Sequence, residues 1–303
     1  MAFNDFREFL DLCRKEHDLI EVDRYIDLNL EIGKALKKSY VNDGPVIIFK
    51  NNGTEFPAVG GVFGNRVKAL RALNVKNKDV LSWFAGVIDK PVPPVIVQEA
   101  PCQEIIVEGE DVDLSKYPIP QFSSLDGGPY LTAGISISKD PETEITDLGH
   151  YRFQAIGKNY FGFMAQPFHR LGKNCTKANA LGMKKFEMAL VVGTDPALAY
   201  TCQIQNVPDS TDDWGLAGAL RGQPVELVKC KTIDVEVPAT AEFVFELEID
   251  FETKVSEGPL GEFTGYMTPA SEKPIARVKA VTHRKNPYFQ VLLTGKPVTE
   301  NHI

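Results

Sequence analysis

The stretch Ala241-Glu242-Phe243-Val244-Phe245-Glu246-Leu247-Glu248-Ile249 reads as a β-strand, rich in Phe, Val and Ile and free of glycine and proline. It does not stand alone. Beyond residue 98 similar runs recur at Ile105–Val107, Leu131–Ser138, His150–Ala155, Phe186–Val192, Val225–Lys229, Ile275–Thr282 and Phe289–Thr294. Clusters of Gly, Pro, Asp and Asn separate them. In this half only Thr176–Lys185 reads as a helix. Closely spaced strands with few helices predict an antiparallel barrel or sandwich.

The first 98 residues have a different character. Phe3, Phe6, Phe9, Leu10 and Cys13 fall close to helical spacing within residues 3–17, with Asn4 as the N-cap. Ile20–Val22 reads as extended, and Leu28–Tyr40 as a second amphipathic helix stopped at Asn42-Asp43-Gly44-Pro45. Val46–Lys50 is a strand that turns at Asn51-Asn52-Gly53 into Ala58–Phe63. Lys68–Leu73 and Lys78–Ile88 are further helices, and Pro91, Pro93 and Pro94 mark a boundary. The fold class is therefore α+β: a small α/β domain over residues 1–98, then a β-barrel domain over 99–303.

Composition narrows the functional classes. The 303 residues are 43% hydrophobic and 24% charged, as in ordinary globular chains. A net charge of −8 argues against general nucleic-acid binding, which needs a basic surface. No apolar run approaches the roughly 18–20 residues of a membrane helix, and the start MAFNDFREFL lacks the features of a signal peptide. Cys13, Cys102, Cys175, Cys202 and Cys230 follow no pattern, which suggests reduced thiols in a cytoplasmic protein. There is no Walker loop, GxSxG or HExxH motif, and Gly60-Gly61-Val62-Phe63-Gly64 reads as a turn.

Three places could carry chemistry. In Ser256-Glu257-Gly258-Pro259-Leu260-Gly261-Glu262-Phe263-Thr264-Gly265-Tyr266, two carboxylates bracket a Gly-Pro-x-Gly turn. On a straight strand they would face opposite ways; a kinked loop lets both reach one cavity, where mutual repulsion favours proton transfer near neutral pH. Solvated loop acids are the plain alternative. In Thr146-Asp147-Leu148-Gly149-His150-Tyr151-Arg152-Phe153-Gln154, a strand would put His150, Arg152 and Gln154 on one face, with Arg152 able to grip a carboxylate. A solvent-facing arginine is the alternative there. Asp147, His169 and Asp213 offer an oxygen and imidazole set suited to Mg²⁺ or Mn²⁺ bridging to a ligand phosphate, although each equally reads as a surface or structural residue.

Taken in order along the chain, these segments resemble the UbiD family. The resemblance also includes Ala100-Pro101-Cys102-Gln103-Glu104, Ser138-Lys139-Asp140-Pro141-Glu142-Thr143, Leu216-Ala217-Gly218-Ala219-Leu220-Arg221-Gly222, Val237-Pro238-Ala239 and Thr282-His283-Arg284-Lys285-Asn286-Pro287. It implies a flavin-reductase-like split barrel that binds prenylated FMN, supplied by a partner flavin prenyltransferase. It also implies reversible decarboxylation of an aromatic or α,β-unsaturated carboxylic acid.

The family's Glu-Arg-Glu network falls on Arg152, Glu257 and Glu262, with Glu262 as proton donor, Arg152 on the leaving carboxylate and Glu257 balancing Arg152. Cofactor contacts fall on Thr132, His150, Tyr151, Arg152, Phe168 and His169. A divalent metal, Mn²⁺ or Mg²⁺, with K⁺ as a further ion, would sit at Asp147, His169 and Asp213. There the family's Asn and Glu are replaced by Asp. Family members usually carry a further C-terminal domain, so the expectation is a homo-oligomer or multi-subunit complex in which another domain or chain closes the pocket. An FMN-dependent oxidoreductase, a non-catalytic subunit of a larger carboxylase complex and a flavin-free metal hydrolase are the alternatives.

Overall fold

A computed structural model describes residues 3–75, 80–204, 208, 210–296 and 299–300. The chain opens with the helix Phe6–Lys15, capped by Asp5 rather than Asn4. Asp5 Oδ1 accepts the Glu8 N–H at 2.8 Å, while Glu8 Oε2 accepts the Asn4 N–H at 2.6 Å, so first-turn donors are satisfied reciprocally. Phe6, Phe9, Leu10 and Cys13 pack on Val46, Ile48, Val59 and Val62. Val46, Ile48 and Val59 belong to a four-stranded sheet ordered Leu19–Tyr25, Val46–Asn51, Ala58–Gly60 and Phe289–Gln290, and Val62 lies in the turn that follows its third strand. Its middle pair is the antiparallel hairpin read from the sequence. Its last strand comes from the far end of the chain, which sequence spacing does not reveal.

The larger sheet has nine strands, every neighbouring pair antiparallel. Its main path runs Tyr130–Leu131, Phe153–Ala155, Tyr160–Phe163, Ser271–His283, Phe243–Glu257, Lys185–Val192, Ile135–Lys139 and Thr146–His150, with Ile105–Glu108 pairing Ser271–His283 off that path. The connections reveal its shape. Thr146–His150 ends the path, yet only Tyr151 and Arg152 separate it from Phe153–Ala155, six strand places away. In a flat sheet that separation would be about 29 Å at 4.8 Å per strand; three Cα steps reach at most about 11 Å. Likewise only residues 132–134 join Tyr130–Leu131 at one end to Ile135–Lys139 near the other. The sheet must therefore curl until its ends meet along a seam.

Its two faces are covered differently. Phe243, Phe245, Leu247 and Ile249 point into one core with Phe153, Phe161, Met188 and Leu190. Each such side chain contributes about 1.5–3 kcal/mol by leaving water. On the other face Ile135, Ile137, Val191 and Val244 meet Leu198, Trp214 and Ala217. These last three lie on the helices Pro196–Thr201 and Asp213–Arg221.

Several expected boundaries shift. The runs at Leu131–Ser138 and His150–Ala155 are each broken where the chain crosses the seam, so they are not single strands. The expected helix Thr176–Lys185 lies instead at Arg170–Ala180; Gly182 adopts φ +75° and Lys185 already begins a strand. Among the described residues no helix is long and apolar enough to cross a membrane. All five cysteines are free, and burial raises the thiols of Cys13 and Cys102 to about 11 and 12, so they stay protonated.

Candidate active site

Arg152 sits on the seam, between the end of Thr146–His150 and the start of Phe153–Ala155. Phe153 is fixed by antiparallel pairing with Leu131 and Phe163, which anchors the neighbouring guanidinium. Glu257 is the last residue of the long strand Phe243–Glu257 and is 0% exposed. Arg152 meets it side-on: Nε donates to Oε1 at 2.9 Å and Nη2 to Oε2 at 2.9 Å. The remaining terminal nitrogen, Nη1, donates to Glu262 Oε1. Two carboxylates more than a hundred residues further along the chain thus share one guanidinium.

The loop between the two glutamates is built to hold them apart yet convergent. After Glu257 the backbone turns through Gly258 at φ +97° and a cis Gly258–Pro259 bond. Leu260–Gly261 then pairs with Met267–Thr268. Thr268 Oγ1 donates to Glu262 Oε1 at 2.8 Å, and the Glu262 N–H donates to Tyr266 O at 2.8 Å. From the other side Gly127 N–H donates to Pro259 O at 2.8 Å, Gly261 N–H to Asp126 Oδ1 at 3.2 Å and Gly258 N–H to Gln154 Oε1 at 2.8 Å. A Cβ on Gly127 would stand 2.1 Å from the Gly258 carbonyl oxygen, so only glycine admits that approach.

Electrostatics separates the two acids. Tyr130, buried beside the pair, places its hydroxyl 3.1 Å from Glu257 Oε1. Burial, then the neighbouring Glu257 charge, raises the phenol far above its usual range, so it stays a donor. Burial disfavours the Arg152 charge, but the bond to Glu257 and the fields of both glutamates outweigh it and raise its pKa. Glu257, fully buried, therefore has its oxygens committed to Arg152 Nε, Arg152 Nη2 and the Tyr130 hydroxyl. Glu262 is 34% exposed and receives two donors, leaving it the acid that a ligand or water can reach.

The sequence singled out the arginine and both glutamates. It missed Tyr130, Asp126 and Thr268. The signal for the first two was Asp126-Gly127-Gly128-Pro129-Tyr130, a paired glycine that marks close backbone approach.

Comparison with known proteins gives the family. Residues 95–297 match the family profile described as 3-octaprenyl-4-hydroxybenzoate carboxy-lyase Rift-related domain, and residues 10–85 match its N-terminal domain. The chain belongs to the UbiD family. Among solved UbiD-class structures, it is 34% identical to HmfF from Pelotomaculum thermopropionicum in complex with FMN, with a TM-score of 0.91 over 98% of this chain. An evolved dimeric form of HmfF in complex with prFMN gives 34% identity and 0.92, covering 99% of this chain and 69% of that one. Vanillic acid decarboxylase from Sedimentibacter hydroxybenzoicus, in closed form, gives 28% identity and 0.94, covering 99% of this chain and 66% of that one. The chain spans 66% of the length of the HmfF chain bound to FMN.

The positions that the UbiD resemblance assigns to cofactor and metal fare unequally. Thr132, His150 and Tyr151 lie along the seam beside Arg152. The Thr132 hydroxyl donates to Leu292 O at 2.5 Å, tying the 132–134 crossing to the segment after Phe289–Gln290, and His150 Nδ1 lies 3.1 Å from Gly134 O of the same crossing. His150 does not share a strand face with Arg152, because the strand ends between them. Phe168 is 71% exposed and lies tilted against His169, at 4.6 Å between ring centroids and 43° between planes. His169 precedes the 11-residue helix Arg170–Ala180 without capping it through its own side chain, and the Leu171 N–H of the first turn donates to the Tyr151 hydroxyl at 3.4 Å.

The metal set does not fit. Asp147 and Asp213 converge, but on the guanidinium of Arg170: Nη1 lies 2.8 Å from each Asp213 oxygen and Nε 3.4 Å from Asp147 Oδ1. The His169 ring is exposed and faces Tyr151 and Phe168. Among the described residues no three His, Cys, Asp or Glu groups gather to hold a metal ion.

Proposed function

We propose that this chain is the flavin-binding part of a UbiD decarboxylase that acts reversibly on an aromatic or α,β-unsaturated carboxylic acid with prenylated FMN. One observation carries the reading: Glu257 and Glu262 meet on the Arg152 guanidinium, the first sealed and the second accessible. The relatives named above, bound to FMN or prFMN or described as a vanillic acid decarboxylase, support the cofactor and substrate class.

The modified flavin supplies the electron sink for carbon–carbon cleavage when bound. The protein's own groups do the rest. Arg152 holds the substrate carboxylate and stays charged throughout; Glu257, locked by three donors, keeps it in place. Glu262 delivers a proton to the substrate carbon after carbon dioxide leaves, and takes it back in the carboxylating direction. Thr132, His150, Tyr151, Phe168 and His169 would hold the flavin. Residues 1–98 form the α/β domain and 99–303 a flavin-reductase-like split barrel. A cytoplasmic oligomer or multi-subunit complex, supplied by a flavin prenyltransferase, completes the picture.

The test is co-expression with a flavin prenyltransferase, followed by absorption spectrum and mass of the bound cofactor and an assay on hydroxybenzoic and acrylic acids. Prenylated flavin with carbon dioxide release supports the reading. Unmodified FMN with nicotinamide-dependent turnover would replace it with an oxidoreductase.

A further inference from the structure

Arg170 is the residue that the family resemblance leaves without a role. All three of its side-chain nitrogens are engaged: Nε with Asp147, Nη1 with both oxygens of Asp213, and Nη2 with the carbonyls of Thr146 at 3.2 Å and Thr211 at 3.0 Å. It thereby ties together the strand Thr146–His150, the segment before the helix Asp213–Arg221 and the start of its own helix. Asp147 and Asp213 are each 4% exposed, and the Leu148 N–H also donates to Asp213 Oδ2 at 2.8 Å. Two carboxylates that dry require a cation within contact distance.

A divalent ion on this pair would need Asp213 oxygens, both already held by Arg170 Nη1, at about 2.0–2.1 Å. It would then displace Nη1 from both Asp213 oxygens and stand beside the guanidinium charge, which Nη2 anchors to the Thr146 and Thr211 carbonyls. Both cations cannot hold these carboxylates at once. We propose that Arg170 is the permanent counter-cation of the Asp147–Asp213 pair, standing where the resemblance puts a metal, so that this chain neither needs nor keeps a divalent ion there. The corollary, that flavin phosphate is held without a metal bridge, rests on the flavin reading above.

The experiment uses chelator-treated full chain, wild type and Arg170→Met, melted with and without millimolar Mn²⁺ or Mg²⁺, with elemental analysis of the purified protein. Wild type should contain no stoichiometric metal and melt at the same temperature in all conditions. Arg170→Met should melt lower and regain part of the loss with Mn²⁺. Stoichiometric metal in wild type, an upward shift of its melting point with Mn²⁺, or an Arg170→Met variant that melts like wild type overturns the proposal. If Arg170→Met does not fold, Arg170→Lys decides: indifference to metal supports the proposal and a metal-dependent shift refutes it. A parallel FMN titration should show equal affinity with EDTA and with Mn²⁺. No FMN binding in either arm would count against the flavin reading alone, because the melting arms contain no flavin.

Discussion

At the scale of single residues, the two glutamates differ in what surrounds them, and their variants should fail in different ways. Replacing Glu262 by Gln keeps its shape and the Thr268 bond but removes the transferable proton. Turnover should fall by about 10²–10⁴, with flavin content and melting temperature near wild type; undiminished turnover would end its role as the acid. Glu257→Ala instead leaves Arg152 buried with its side-on edge unpaired. Losing one member of a buried pair costs roughly 3–5 kcal/mol, so this variant should show a clear drop in denaturant midpoint as well as in activity. The arginine and both acids were legible because a Gly-Pro-x-Gly turn between two glutamates is unusual in itself. Tyr130 and Arg170 were not, since a lone tyrosine and a helix-borne arginine acquire meaning only through partners more than twenty residues away.

At the scale of elements, the strands were easier to read than the helices around them. The run at Ala241–Ile249 was recognisable, and the strand extends past it to Glu257. The helix Asp213–Arg221 was missed because two glycines interrupt its pattern. Their reason is packing: a Cβ on Gly218 would lie 2.2 Å from the Val92 carbonyl oxygen. Gly127 follows the same logic at the site. Gly127→Ala should push the Gly258–Pro259 turn away and separate Glu262 from Arg152. The variant should fold, bind flavin and lose most of its kcat; wild-type kinetics from it would show that this turn tolerates displacement.

For the whole molecule, the seam has a pH signature. Burial lowers the His150 pKa to about 4, against about 6.5 in an unfolded chain. Between those values the unfolded chain binds more protons, so stability falls as pH drops through that window, by up to about 3 kcal/mol. Asp195 has the opposite sign: burial, only partly offset by Arg221, raises it to about 6, so its contribution weakens as pH rises. The comparison must therefore be differential. Urea unfolding of the flavin-free chain at pH 7, 6 and 5 should show a steeper loss for wild type than for His150→Gln; parallel curves would mean that the ring is not held neutral. Sequence periodicity could find the strands, but the order in which they pair, and hence the seam, depends on contacts that no local pattern encodes.

The two short crossings at 132–134 and 151–152 have a mechanical meaning. They act as covalent rivets across an otherwise open cylinder, and one of them carries the guanidinium on which both glutamates converge. A cut in the peptide chain at 151–152 would free one rim to unroll and carry that guanidinium off its two acids. The wall of this cylinder and its reactive centre therefore share a single fastening.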